Sequence, residues 1–126
     1  MTGATDGIGR QTALQLGQMG ARVLVHGRDP DRGAELVEKL KSLGVWGAAF
    51  FRADFSSLVD VVQLAGAVKE ETTRLDVLIN NAGVSHVPTP AENVSEADFD
   101  LIVAVNMKAI YLAAREVVPR FKARAA

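Results

Sequence analysis

The sequence has no cysteine among its 126 residues. A disulfide framework, a thiolate nucleophile and a cysteine-based zinc site are therefore excluded, and this composition fits the reducing conditions of the cytoplasm. Histidine is also scarce, since only His26, at the end of an apolar run, and His86, in a loop-like stretch, are present. Their positions favour structural roles over metal binding, so we expect no metal site.

Basic clusters and long apolar runs are lacking as well. The formal net charge is −1, and no stretch gathers enough Lys and Arg to follow a phosphate backbone, so we expect no nucleic-acid partner. Apolar runs break well before the roughly 18 residues that a membrane helix needs, and the first residues do not resemble a secretion signal. With 48% hydrophobic and 23% charged residues, the chain is predicted to be one soluble cytoplasmic domain over residues 1–126.

Apolar blocks alternate with turn residues along the chain, which is typical of a parallel α/β sheet. Helix-capping residues and glycines mark the ends of most blocks. The predicted helices run from Gly7 to a stop at Gly20, from Pro30 to Gly44, from Ser57 to about Arg74, and from Ser95 to Pro119 with a kink near Asn106. The predicted strands cover residues 21–26, 45–51 and 76–80. Trp46 is expected to pack in the core or at a strand end, and Ile8 to join the buried stripe of the first helix.

The most informative segment is the glycine-rich turn at residues 2–9, directly before the first helix. Gly3 permits a sharp turn, Gly7 lets the backbone approach a diphosphate, and Gly9 lets the helix pack closely against the sheet. The N-terminus of the helix then offers N–H groups and a positive dipole end to the anion. No Lys-Ser or Lys-Thr follows, so the segment does not match the phosphate-binding loop of NTPases.

Two further features have a functional and a structural interpretation. Asn80-Asn81-Ala82-Gly83 ends a predicted strand at the edge where ligands bind in doubly wound sheets, although Asn-Gly sequences also form simple turns. Asn106 is a polar residue on an apolar helix face, where it needs a partner. Asn106 therefore either belongs to a functional site or stabilises a helix kink. In the second interpretation its side chain bonds a carbonyl.

Together these motifs resemble those of the short-chain dehydrogenases/reductases, which carry TGxxxGxG, NNAG and a later helical Asn in this order. The resemblance covers essentially the whole chain and implies a doubly wound Rossmann fold with strand order 3-2-1-4. It implies that Asp54 binds the adenine amino group and that Asn106 holds a water in the proton relay to a catalytic Lys. The residues expected to bind the cofactor are Gly3, Thr5, Gly7, Ile8, Gly9, Arg28, Asp54, Asn80, Ala82 and Gly83.

The end of the second strand bears on the choice of cofactor. NAD-binding Rossmann proteins place an acidic residue about 20 positions after the glycines, where this chain has Gly27 followed by Arg28. A guanidinium suits the 2′-phosphate of NADP, so we expect NADP in preference to NAD. The nearby Asp6, Asp29 and Asp31 argue the other way, and Arg28 has the alternative interpretation of a solvated turn residue.

Part of the family pattern is missing. The resemblance implies a catalytic Ser and a Tyr-x3-Lys pair, but the only tyrosine, Tyr111, is followed by Arg115 and lies one element too early. We interpret it as a helix-packing residue, and Ser85 beside His86 as part of a loop. Most of the first strand and everything after the fourth helix are also lacking, so we expect a fold that is incomplete at both ends, from a gene fragment or a mis-started product.

The expected function is therefore that of an oxidoreductase which moves hydride between nicotinamide and a carbonyl or alcohol substrate, with this chain inactive alone. The substrate itself is not readable, since residues 84–93 are the only specificity loop present. Residues 106–123 resemble half of the helix pair through which family members dimerise, which predicts a homo-oligomer. The main alternative is a catalytically silent module that senses a dinucleotide or binds a partner, and NNAG with the later Asn disfavours a methyltransferase.

Overall fold

The computed structural model describes residues 1–125 and follows the predicted alternation of helices and strands. The helices are α1 (Gly7–Gln18), α2 (Pro30–Ser42), α3 (Leu58–Glu71), α4 (Glu96–Val103) and α5 (Ala109–Ala125), with a short 3₁₀ turn at Ala91–Asn93 and a π-helical turn at Ala104–Lys108 joining α4 to α5. The strands are β1 (Leu24–Gly27) and β2 (Ala49–Arg52). In the described range, no helix is both long and apolar enough to cross a membrane.

Short polar side chains start the helices where the sequence predicts. The carboxylates of Asp6 and Asp29 and the hydroxyls of Ser57 and Ser95 each accept a backbone N–H of the first turn. Each cap satisfies a donor that has no partner inside the helix. The starts of α1, α2, α3 and α4 are thus fixed by local sequence.

The sheet is centred on β1. β2 pairs with it in parallel along its whole length, and on its other edge His26 exchanges backbone hydrogen bonds with Met1 and Ala4 at 3.0 and 2.8 Å. Beyond these residues the Thr2 N–H donates to the Ile79 carbonyl at 2.9 Å. The order across the layer is β2, β1, the opening segment and the chain around Ile79. In the predicted 3-2-1-4 order the opening segment is strand 1, so β1 and β2 correspond to strands 2 and 3, and the observed order matches the predicted one.

The prediction of a buried strand at residues 76–80 is wrong, because this segment lacks the ladder of a strand. One backbone bond, from Thr2, joins it to the neighbouring segment within the described chain, and the Val77 side chain is 67% exposed. A parallel strand is stabilised by bonds on both edges and by cover on both faces. Residues 76–80 have neither, and none of them is buried.

The prediction for Trp46 is also wrong, since its side chain is 87% exposed. Gly44 and Gly47 have φ values of 82° and 70°, which place the indole on a turn between them. The turn also delays β2, which begins at Ala49 and not at residue 45. Two left-handed glycines therefore outweigh the apolar pattern of this segment.

One face of the sheet carries the core. Side chains from α1 and α2 pack there against β1 and the turn before β2, and the buried cluster consists of Ala4, Ala13, Leu14, Val23, Val25, Leu36, Leu40, Val45 and Ala48. Ile8 does not belong to it, because its side chain is 82% exposed at the first turn of α1. The prediction that Ile8 lies in the core is therefore wrong. The first turn of α1 contributes the buried residue Gly9 instead.

The opposite face is loosely packed. Helices α3 and α5 contact each other there, and every residue of α3 keeps at least partial exposure. A cavity of about 530 Å³ lies between these helices and β1, lined mainly by apolar side chains such as Leu24, Val61, Leu64 and Leu112.

The last helix differs in detail from the sequence prediction. The kink expected at Asn106 is a π-helical turn, a feature frequent at functional sites. Pro119 was expected to end the helix but lies inside α5. The turn after the proline is held in place where the Arg124 guanidinium donates to the Leu75 carbonyl at 2.7 Å, so tertiary contact offsets the missing proline N–H.

Candidate functional site

The glycine turn opens onto solvent at the N-terminus of α1. Asp6, Gly7 and Ile8 are all exposed, and Gly7 has a φ of 50°. A Cβ built on Gly7 would meet no heavy atom of the described chain within 4 Å. Because the positive end of the helix dipole points into this space, an anion placed there would be stabilised.

Gly3 and Gly9 are required for a different reason, the close approach of two chain segments. A Cβ on Gly9 would lie 2.2 Å from the Gly3 carbonyl oxygen and 2.5 Å from the Asn81 amide nitrogen. A Cβ on Gly3 would lie 2.7 Å from the Cα of Ala82. The glycine turn and the Asn-Asn-Ala-Gly segment therefore lie in direct contact.

Thr2 and Asn81 fasten these two segments to each other. The Thr2 hydroxyl oxygen accepts the backbone N–H groups of Asn81 and Ala82, both at 3.0 Å. The Asn81 side-chain amide donates back to the carbonyls of Gly3, at 2.9 Å, and Thr2, at 3.2 Å. Sequence reasoning did not select either residue. The feature that could have identified them is that each is a polar residue within a motif whose other residues were predicted to bind the ligand.

Asn106 holds the same region from the other side. Its side-chain oxygen accepts the Val84 N–H at 2.9 Å, and its side-chain nitrogen donates to the Val84 carbonyl at 2.8 Å. A Cβ on Gly83 would lie 3.4 Å from that oxygen. The interpretation of Asn106 as a kink-stabilising residue required its side chain to bond a carbonyl, and it does. That carbonyl lies 22 residues away in the sequence and outside the helix of Asn106.

The ends of β1 and β2 carry the charged residues expected at the adenosine end. The Arg28 side chain is exposed, and its carbonyl accepts from the Arg52 side chain at 3.2 Å. One carboxylate oxygen of Asp54 accepts both the N–H and the hydroxyl of Ser56, at 2.9 and 2.8 Å. These bonds, with a smaller contribution from Arg28, lower the pKa of Asp54 below its usual value.

Thr5, within the glycine turn, packs against Gly27 at the end of β1. A Cβ on Gly27 would lie 2.4 Å from its methyl carbon and 2.6 Å from its hydroxyl oxygen. Any residue larger than glycine at position 27 therefore requires Thr5 to move.

Asp6 and Asp29, two of the acidic residues near the site, already have partners. The N–H of Gly7 and the Arg32 guanidinium, 2.5 Å from the carboxylate, lower the pKa of Asp6. Asp29 accepts the N–H groups of Asp31 and Arg32 at 2.9 and 3.1 Å. The charge of Asp6 at the N-terminus of α1 is thus offset by a neighbouring cation.

The residues considered for other chemistry do not assemble into a site. The Ser85 hydroxyl donates to the His86 carbonyl at 3.1 Å, and the imidazole lies against the Val87 carbonyl. Tyr111 is exposed rather than packed, with the Arg115 guanidinium 5.6 Å from its ring centre. Over residues 1–125, no group of three His, Cys, Asp or Glu side chains is arranged to hold a metal ion.

Of the residues assigned to the cofactor, Asn80 and Gly83 are exposed and Ala82 is half-buried, at the edge that faces the glycine turn. The two predicted motifs thus meet at one edge of the sheet, with an open helix terminus beside them. This arrangement fits an elongated anionic ligand, with the diphosphate at α1 and the other parts along the strand ends.

Comparison with known proteins agrees with this geometry. The family model described as short chain dehydrogenase matches residues 1–126. An uncharacterized oxidoreductase of Thermotoga maritima is 38% identical over 97% of this chain and 47% of its own length.

Two solved structures are similarly close. A metagenomic short-chain oxidoreductase in complex with NADP has a TM-score of 0.88 and 36% identity, over 94% of this chain and 53% of that one. The 3-ketoacyl-(acyl-carrier-protein) reductase from Brucella melitensis, complexed with NADH, has a TM-score of 0.85 and 34% identity, over 96% and 48%. The chain thus spans about half the length of these relatives.

Proposed function

Because this chain belongs to the short-chain dehydrogenase family, we propose that it binds NADP and forms the cofactor-binding part of an oxidoreductase. The observation that carries the proposal is the contact between the glycine turn and the Asn-Asn-Ala-Gly segment beside the open N-terminus of α1. The exposed first turn of α1, at Gly7 and Ile8, would bind the diphosphate. Gly3 and Gly9 would contribute by letting the glycine turn lie against the Asn-Asn-Ala-Gly segment. When bound, the nicotinamide supplies the hydride chemistry.

The remaining cofactor contacts are proposed at the ends of the strands. Asn80, Ala82 and Gly83 leave an exposed edge for a ribose. Thr5 would lie beside the ribose of the adenosine half. Asp54 retains one carboxylate oxygen that does not bond Ser56, and this oxygen would accept the adenine amino group.

Three features support NADP over NAD. Arg28 presents an exposed guanidinium at the end of β1, which suits a dianionic 2′-phosphate. An acidic residue at position 27 has no room beside Thr5. Asp6 and Asp29, which argued for NAD in the sequence, are engaged by Arg32 and by the start of α2.

The reaction proposed for the whole protein is hydride transfer between the nicotinamide and a carbonyl or alcohol. General acid catalysis of that step needs a proton donor near the reacting oxygen, and these 126 residues contain no Tyr-x3-Lys pair. Asn106 is the one member of the expected catalytic set in the chain. We therefore expect the 126-residue chain to bind cofactor without turnover.

The test is titration of the purified chain with NADPH and NADH, followed by nicotinamide fluorescence, with circular dichroism on the same sample. Saturable binding with NADPH tighter is expected. Arg28→Ala should weaken NADPH binding by about 10- to 100-fold, as for loss of a charged hydrogen bond worth roughly 1.5 to 3 kcal/mol, and leave NADH unchanged. Arg115→Ala, on an exposed arginine of α5, is the matched control. Equal loss for both cofactors would refute the role of Arg28.

Self-association is a second proposal, favoured by the exposed side of the last helix. Exposed apolar side chains follow one another along it and the π-helical turn before it, namely Met107, Ile110, Tyr111 and Val118. Such a stripe is typical of a surface that pairs with a second copy. Sedimentation velocity of the chain and of Ile110→Asp tests it, because a monomer at all concentrations for both proteins would exclude association through α5.

A further inference from the structure

His26 is a buried polar residue whose two ring nitrogens both have backbone partners. Its side chain is 6% exposed and stacks on Phe55 with ring centres 4.3 Å apart. Nδ1 lies 3.2 Å from the Gly3 nitrogen, and Nε2 lies 3.0 Å from the Ala53 carbonyl oxygen. One imidazole therefore bridges two segments that are distant in sequence.

The chemistry of these partners fixes the form of the ring. The Gly3 N–H is a donor, so Nδ1 must carry a lone pair, and the Ala53 carbonyl is an acceptor, so Nε2 must carry the proton. The neutral Nε2–H tautomer satisfies both bonds. An imidazolium would turn a second N–H toward the Gly3 N–H and lose that bond.

Both partners belong to the proposed cofactor site. Gly3 begins the glycine turn, and Ala53 directly precedes Asp54. We propose that His26, in its neutral Nε2–H form, is a positioning residue that sets the spacing between the diphosphate turn and the adenine end of the site. The proposal rests on the proposed function. A histidine that merely fills the core would stabilise the chain without affecting the affinity of the folded protein.

The proposal predicts that cofactor affinity depends on pH. Burial lowers the pKa of His26, and the charged groups that act on the ring are the α-ammonium of Met1, which lowers it further, and Asp54, which raises it. The ring is thus neutral at pH 7, and affinity falls as the pH drops through the lowered pKa of the folded state. Stability follows the same sign. It is complete above the unfolded value of about 6.5 and declines below it, because the unfolded chain binds the proton first.

The experiment is calorimetric titration with NAD⁺, which lacks a 2′-phosphate that would itself titrate, in steps of pH from 7.5 down to the onset of acid unfolding. Wild type is compared with His26→Gln and with His26→Phe, which retains the aromatic stack but loses both hydrogen bonds. Each Kd is corrected for the unfolded fraction measured by circular dichroism. Wild-type affinity should fall about fivefold as the pH drops through the folded-state pKa of His26, as expected for one hydrogen bond. The phenylalanine variant should bind about tenfold more weakly than wild type at pH 7.5, with no further change as the pH is lowered.

The variants also separate the effect of His26 on the pH dependence from that of Met1. Burial lowers the pKa of the Met1 α-ammonium to about 6, so this group also titrates as the pH falls, but both variants retain it. A pH dependence that persists in both variants, or a phenylalanine variant as tight as wild type, overturns the role of His26. If wild type binds no dinucleotide at all, the proposed function itself fails. A long-range ¹⁵N–¹H spectrum of the wild-type imidazole at pH 7.5 requires neither ligand nor variant, and a proton on Nδ1 would also overturn the proposal.

Discussion

Replacement of Thr2 by valine tests whether its hydroxyl holds the glycine turn against the Asn-Asn-Ala-Gly segment. Valine has nearly the same shape but leaves the N–H groups of Asn81 and Ala82 without the acceptor that they share at 3.0 Å. The site is enclosed, since Thr2 is only 7% exposed. Each buried donor without a partner costs about 1 to 3 kcal/mol. Because Asn81 and Ala82 are only partly buried, the cost lies in the lower part of the two-donor range. Thr2→Val should therefore lower the free energy of unfolding by about 2 to 4 kcal/mol, a large share of the roughly 5 to 15 kcal/mol of a typical domain.

The matched control is Thr2→Ser, which keeps the hydroxyl and removes one methyl group at a cost of about 1 kcal/mol. Urea unfolding followed by circular dichroism gives both values, and an unchanged m-value shows that the midpoint shift reports stability. Cofactor affinity should fall in the valine variant alone, because only that variant releases the edge at Ala82. Equal unfolding free energies for the two variants would refute the inference that the hydroxyl joins the motifs.

Three further substitutions test the site and its frame. Asn106→Leu removes both hydrogen bonds to Val84 and should cost about 2 to 4 kcal/mol in urea unfolding; a loss below 1 kcal/mol would show that water replaces the amide. Gly9→Ala places a Cβ 2.2 Å from a backbone oxygen and should abolish NADPH binding, whereas Gly66→Ala, in open space on α3, should bind normally, and equal binding by both would contradict the close packing. Ser57→Ala removes the cap of α3 and should lower stability by about 1 kcal/mol, and no change in the urea midpoint would exclude the cap.

The sequence predicted the elements whose causes are local. Asp29 with Pro30, Ser57 and Ser95 each define a helix start through atoms no more than three residues away. Gly20 and Gly44 define stops because each adopts a positive φ. Such signals depend little on the rest of the fold. The family and the Rossmann architecture were predicted correctly for a related reason, since the spacing of the two glycine-containing motifs reflects backbone geometry at the strand ends.

The errors arise where a residue depends on partners far along the chain. Residues 76–80 have the composition of a buried strand, but a strand also needs neighbours, and here Thr2 supplies a single bond. Trp46 has the apolar side chain typical of a core residue, but Gly44 and Gly47, both at positive φ, place it on an exposed turn. Pro119 lies within a helix because the end of that helix is anchored at Leu75. Apolar pattern alone does not encode any of these relations.

Within the site, sequence reasoning selected residues for contact with a ligand, which remains a prediction, and missed those that hold the backbone in place. Thr2, Asn81 and His26 bond backbone atoms of other segments. Thr2 and Asn81 had been assigned no role of their own within their motifs, and His26 had been assigned only a structural role. Their function depends on which segments become neighbours, which is a property of the folded sheet. A polar residue that is buried inside or next to a ligand-binding motif is the signal that would have identified all three.

The two faces of the sheet contribute differently to the proposed activity. On the face that carries α1 and α2, a packed core fixes the helix whose N-terminus would bind the diphosphate. On the other face a cavity of about 530 Å³ leaves α3 and α5 weakly supported, and the Asn-Asn-Ala-Gly segment depends on hydrogen bonds from Thr2 and Asn106 for its position. A dinucleotide that contacts both the glycine turn and that segment would bind the folded chain in preference to the unfolded chain. At a concentration about 100 times its Kd, it would stabilise the folded chain by about 2.7 kcal/mol. The proposed ligand would thus act on the same segment as the hydrogen bonds of Thr2 and Asn106, and not on the core.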